Sequence, residues 1–252
     1  MAIGPMTGMY LYDHYSYNVI FYMAFAIGVI AFIMGSRIKT PRIVMAPAEA
    51  ISLDRFILLQ GIPAGMNFLL TAIPYGIATT YIALYARELN ISGKVGLFYL
   101  AMAVGIASSR LFSGKQVDRG KLTQIIALGI NIATISFLLL AILKYFPSDY
   151  PALSQNMFYF IALLIGVGYG CVFPAMNSLF IALASNNKRG TANSTYLISW
   201  DIGIGIGLLL GGILGEIANF SIAFFIGAIL NCMAALMFIH FTGGHFQRNK
   251  IS

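Results

Sequence analysis

Charge is nearly absent from long, regularly spaced blocks of this chain. Seven stretches, residues 17–34, 56–86, 95–112, 122–143, 157–184, 192–215 and 220–241, are almost wholly apolar, and each is closed off by polar or turn residues such as "KTPR", "SGK", "DRGK", "PSDYP" and "NNKRG". A bilayer's hydrocarbon core is crossed by about 20 helical residues, so each stretch is long enough to span. A barrel strand needs only about half that length and alternates in polarity with period two, a pattern missing here. Only 9% of the 252 residues are charged, against about 25% in a soluble domain, so no water-facing surface can be assembled from them. The expected fold is an all-α integral membrane protein, a multi-spanning helical bundle.

The net charge of +7 raises the question of nucleic acid, and the distribution of the charge answers it. All Lys and Arg except Arg87, Lys94 and Lys144 fall in alternate connections, residues 35–55, 110–121, 185–191 and 242–252. That asymmetry follows the positive-inside rule, so these segments and the C-terminus are predicted cytoplasmic, in a multi-pass protein of the cell (inner or plasma) membrane with no nucleic-acid partner. Cys171 and Cys232 lie inside spans with no Cys or His at ligand spacing and are expected to be buried packing residues. No metal and no cofactor is expected. An intramembrane enzyme is disfavoured, because HExxH is absent and His14, His240 and His245 sit at span ends or in loops. The N-terminus shows no basic region ahead of an apolar one, so no secretory signal is expected.

The opening "MAIGPMTGMYL" would reach only about 16 Å as a helix, half a bilayer core. Within it Gly4, Pro5 and Gly8 form a small-residue face suited to close helix packing. "GPMTG" resembles the glycine-proline motif in helix five of the drug-proton antiporters of the major facilitator superfamily, with Met9 standing where that motif has a second glycine. Between the third and fourth runs, "SRLFSGKQVDRGK" is similar to the family's cytoplasmic loop signature through Gly114, Asp118, Arg119, Gly120 and Lys121, one residue short between the Arg and the Gly. "NNKRGTANSTYLISWDIGIGIG" looks like the loop and helix eleven of its exporter branches.

The resemblance implies that the seven runs correspond to helices six to twelve, with roughly 130 to 150 residues of a family member absent ahead of them. On that basis residues 1–35 are a remnant of an N-terminal bundle, 36–55 a cytoplasmic linker, 56–241 the C-terminal six-helix bundle and 242–252 a cytoplasmic tail. The implied activity is secondary transport of a small molecule by alternating access, with proton-coupled efflux as the implied mode. The partners are then the lipid bilayer, a small-molecule substrate, protons and the missing N-terminal half. The alternative is a non-transporting fragment or assembly partner that needs a separate N-terminal half.

From the residues themselves, Arg110, Gly114, Asp118, Arg119, Gly120 and Lys121 read either as a solvated basic loop or as a latch that holds one conformation; the resemblance favours the gating latch. Pro63 and Pro74 in the second run and Pro174 in the fifth mark interrupted helices, a pointer to a midplane transport site. On the second run Gln60, Asn67, Thr71, Ala78 and Tyr85 fall on one face flanked by Tyr75 and Tyr81, which suits either a substrate cavity or interhelical hydrogen bonds. Asn177 is the polar candidate on the fifth run, on a face with Gly166, Gly170 and Pro174.

In the sixth run Gly203, Gly207, Gly211 and Gly215 recur every four residues, a ridge along which another backbone can approach. "GIGIG" is no dinucleotide loop, since no strand precedes it. Asp201 shares a face with Ser194, Gly205 and Gly212 and is expected to point inward. Three roles are open to it: proton carrier, contact for a cationic substrate beside Trp200, or structural partner of polar groups on adjacent helices.

Overall fold

A computed structural model describes residues 4, 7, 8, 10, 11, 15–37, 56–91, 95–145 and 151–251. Among these, every regular element is a helix, and seven are long and apolar enough to cross a membrane. They are α1 (Tyr17–Ser36), α2 (Ile62–Glu88), α3 (Gly96–Asp118), α4 (Leu122–Ile142), α5 (Pro151–Ala182), α6 (Arg189–Ile217) and α7 (Phe220–Met237). A π-helical turn, Phe238–Thr242, joins α7 to a short α8 (Gly243–Asn249). The predicted linker, Pro5, His14 and Lys94 lie outside the described residues, apart from the first two positions of the linker.

Helices α2 to α7 pack into one bundle, and their pairing has an internal symmetry. α2 packs chiefly on α6 and α3 chiefly on α5; α2 also lies on α7, and α5 on α4. Exchanging α2, α3, α4 for α5, α6, α7 maps each of these contacts onto another, while the α4–α7 contact maps onto itself. The first helix of one unit begins at the end of the bundle where the first helix of the other stops. The Leu58 N–H donates to Thr195 Oγ1 (2.8 Å) at the start of α6, and Ile251 N–H donates to the Ala182 carbonyl (2.9 Å) at the end of α5. The two three-helix units are therefore inverted copies, the arrangement built around an axis in the membrane plane.

Glycine makes the two main crossings close. A Cβ built on Gly76 would stand 2.7 Å from the Ile204 carbonyl oxygen, and one on Gly203 would stand 2.6 Å from that of Leu69. Gly207 abuts the Ile73 carbonyl in the same way. At the α3–α5 crossing Gly105 meets the Leu163 carbonyl and Gly166 that of Met102. Between apolar helices in lipid, such backbone proximity supplies the packing that a hydrophobic effect cannot. Gly211 and Gly215 face rings instead, those of Tyr81 and Phe220.

Several sequence expectations change. Pro63 falls in the first turn of α2, where its missing N–H leaves no intrahelical bond unmade, so it starts the helix rather than interrupting it; Pro74 and Pro174 are interior. The loop expected at residues 110–121 is mostly helix. α3 runs to Asp118 and ends in a Schellman motif, with Gly120 at φ +80°, its N–H on the Val117 carbonyl (2.9 Å) and the Lys121 N–H on the Gln116 carbonyl (3.0 Å). Gly4 and Gly8 have nothing within 4 Å of a built Cβ, so neither packs against another described element. Cys232 is exposed on α7 rather than buried, whereas Cys171 is buried. The expected tail is docked: α8 places His245 Nε2 3.0 Å from the Gln60 carbonyl.

Candidate functional site

Where α3, α5 and α6 meet, the bundle surface opens into a groove of about 360 Å³ lined by Arg110, Gly114, Phe173, Pro174, Asn177 and Tyr196. Each lining residue is placed by its helix. Arg110 and Gly114 are one turn apart on the exposed side of α3. Phe173, Pro174 and Asn177 share a stripe of α5 at its interior proline, and Tyr196 comes from the second turn of α6. Across the α5–α6 turn, Asn177 Nδ2 donates to Asn193 Oδ1 (3.1 Å), which joins the two helices at the rim.

Beneath the groove lies an aromatic cluster. Phe173 meets Trp200 edge-on (4.5 Å between centroids), Trp200 stacks on Phe68 (5.2 Å) and lies 5.0 Å from Tyr75, and Tyr75 packs against Tyr169 (4.7 Å). Tyr196 closes the cluster by stacking on Phe68 (4.7 Å). Pairs in these geometries add about 0.5–1.5 kcal/mol each beyond their buried area, so the groove has a rigid floor. Trp200 is buried in it and Tyr75 more deeply still.

The polar face of α2 goes elsewhere. Asn67 is fully buried and donates from Nδ2 to the Ala234 carbonyl on α7 (2.6 Å); Thr71 Oγ1 donates to the Asn67 carbonyl (3.0 Å). Tyr169 on α5 donates to the Thr71 carbonyl (2.9 Å). Neither Asn67 nor Thr71 lines the groove, and both serve interhelical or local hydrogen bonds. Tyr81 donates to the Leu208 carbonyl on α6 (2.7 Å) and stacks on Phe220. Gln60 is exposed at the end of the bundle, where its carbonyl faces His245.

Asp201 is exposed and has no hydrogen bond or ion pair among the described residues. The expected inward orientation is therefore corrected. The ridge of Gly203 and Gly207 turns one side of α6 onto α2, and Asp201, two residues before Gly203, lies about 160° away around the helix. Its neighbour on the same face, Gly205, likewise has nothing within 4 Å. In the expected latch, Asp118, Arg119 and Lys121 are exposed around the α3–α4 turn, and Gly120 supplies its left-handed residue. Asn193 and the groove face of Tyr196 were not singled out from the sequence; the one available signal was their spacing of two turns and one turn before Trp200.

A profile described as Major Facilitator Superfamily matches residues 1–154 and 145–250. The staphylopine export protein of Staphylococcus aureus (strain Mu50) is 21% identical over 69% of this chain and 42% of its own length. An uncharacterized MFS-type transporter of Pseudomonas aeruginosa (strain LESB58) is 29% identical over 62% of this chain and 36% of its own length, and the MFS-type transporter YhhS of Salmonella typhi is 24% identical over 69% and 40%. The chain thus spans about two fifths of the length of these relatives. Seven membrane-length helices, two inverted three-helix units and a profile match across most of the sequence make this chain a member of the major facilitator superfamily of membrane transporters.

Proposed function

We propose that α2 to α7 form the C-terminal bundle of a secondary transporter that exports a small molecule by alternating access, with the α3–α5–α6 groove as its share of the substrate path. The observation carrying this reading is the groove itself: an arginine, an asparagine and two aromatic side chains gathered beside the interior proline of α5, on a bundle whose exposed side chains are otherwise mostly apolar. A second bundle facing the groove completes the path, and rocking of the two exposes it to each side in turn. The similarity to an export protein supports the outward direction. Asp201, unpaired and exposed on α6, is the proposed proton carrier, and the turn at Asp118, Arg119, Gly120 and Lys121 the proposed latch. The basic end faces the cytoplasm.

The test is flux. Proteoliposomes holding the protein are incubated with a bacterial metabolite extract under an imposed pH gradient, and the contents are identified by mass spectrometry. At least one compound is expected to accumulate, and nigericin, which collapses the gradient, is expected to abolish this. Accumulation that survives nigericin removes the proton role; none at all, with or without a gradient, removes transport by this chain on its own.

A specific observation favours a second reading, an assembly partner that transports only with a separate bundle. α1 buries none of its residues, which leaves a whole spanning helix unmatched by α2 to α7. Flux that appears only on co-expression with an N-terminal half from a relative selects this reading.

A further inference from the structure

Arg110 lies inside a spanning helix, about 12 Å along α3 from Asp118. A guanidinium at such a position is costly unless it is hydrated or paired. Among the described residues it forms no hydrogen bond and no ion pair, and no Asp or Glu lines the groove it faces. The groove's other polar groups are uncharged: Asn177 Nδ2 is engaged on Asn193 Oδ1 and the Tyr196 hydroxyl donates to the Phe173 carbonyl (3.4 Å). Arg110 is thus the one charged group in the described lining, and it presents five N–H groups in a planar fork. Phe173 and Tyr196 supply flat apolar walls, and the volume of about 360 Å³ lies at the small end of ligand sites. The complement is a planar apolar body carrying a carboxylate.

We propose that this groove is the subsite for the carboxylate of a small aromatic acid, with Arg110 as its bidentate receptor and Phe173 and Tyr196 as the walls for its ring. The proposal rests on the transport reading for its biological setting but not for its test. It also sets the charge of the ligand: the site is built for an anion, and the cationic substrate once open for Asp201 has no acidic partner here. Arg110, expected in a gating loop, becomes a ligand-binding residue instead.

The chain contains a single tryptophan, and Trp200 touches the groove wall through Phe173, so its fluorescence reports occupancy without a label. The whole chain in phosphatidylcholine nanodiscs, which offer no anionic lipid to compete, is titrated with benzoate, benzamide and benzylamine, near-isosteres that differ in charge. Benzoate is expected to give a saturable change, with affinity about tenfold or more above the other two. Arg110→Gln is expected to bring benzoate down to the benzamide level and leave benzamide unchanged. Arg110→Lys, which keeps the charge without the fork, should fall between. Asn177→Asp tests the same point with Arg110 intact and is expected to suppress benzoate by placing a carboxylate in the groove.

Equal affinity for all three probes, a preference for benzylamine, an undiminished benzoate response in both Arg110→Gln and Asn177→Asp, or no benzoate response up to its solubility limit each overturns the proposal. The two readings fail separately. Loss of charge discrimination leaves the flux result standing, whereas absence of flux with discrimination intact removes transport and keeps the subsite.

Discussion

Tyr85 and Asp201 mark opposite uses of a polar side chain in lipid. Tyr85 is fully buried on α2; its hydroxyl donates to the Leu140 carbonyl on α4 (2.6 Å) and lies 3.1 Å from Ser221 Oγ on α7, so one oxygen ties three helices. Tyr85→Phe keeps the ring against Phe224 and removes the tie. A loss of about 0.6–1.7 kcal/mol is expected from the measured range of such bonds within membranes, read as a lower thermal midpoint with benzoate binding unchanged. Asp201 is exposed and makes no hydrogen bond or ion pair among the described residues. Asp201→Asn is therefore expected to leave stability within about 0.5 kcal/mol, while gradient-driven accumulation in proteoliposomes is lost. Accumulation that still responds to the gradient in Asp201→Asn would assign the proton to another group.

Helix α6 carries its own control for the role of its glycines. Gly207 is pressed on the Ile73 carbonyl, whereas Gly205 has nothing within 4 Å of a built Cβ. Gly207→Val must push α6 off α2 and is expected to cost at least about 1–3 kcal/mol; Gly205→Val, with the same change in chain entropy, is expected to be near neutral. Thermal unfolding of the two variants side by side checks this, and equal midpoints would show that the α2–α6 crossing does not depend on close backbone approach. The same helix shows what could be read before folding. That Asp201 and Gly205 share a face follows from a period of 3.6 residues, but which face turns inward depends on where α2 lies, and nothing local encodes that. Helix existence was legible from apolar length alone. Helix ends were not: Lys115, Gln116 and Asp118 leave the apolar run yet are compatible with helix, so α3 continues to its glycine cap, and Pro151, favoured in a first turn, starts α5 ahead of the apolar stretch at 157. The groove was the least legible feature. Its lining comes from three helices spread over Arg110 to Tyr196, and the Asn177–Asn193 bond exists only once α5 and α6 lie antiparallel.

Over the whole molecule, the two ends of the bundle differ in how they are closed. At one end Glu88 finishes α2, pairs with Lys144 after α4 (3.3 Å) and accepts the Phe220 N–H at the start of α7 (3.3 Å). This partly exposed pair contributes little stability but gathers three helix termini. At the other end Leu58 meets Thr195, His245 meets the Gln60 carbonyl, and Ile251 meets Ala182, so the last residues of the chain hold the first turn of α2 beside the α5–α6 connection. The basic residues Arg119, Lys121, Lys188, Arg189, Arg248 and Lys250 all belong to this second end. A negative inner leaflet and an inward-negative potential favour such an end on the cytoplasmic side, the orientation proposed for this bundle. Single cysteines test that orientation once Cys232, which is exposed, is replaced by Ala. Lys121→Cys, in the turn after α3, and Tyr145→Cys, which is 81% exposed after α4, report opposite ends. In intact cells a membrane-impermeant maleimide is expected to label Tyr145→Cys and spare Lys121→Cys, and in everted vesicles the pattern is expected to reverse. The opposite pattern would invert the bundle, placing the docked α8 and the proposed latch outside.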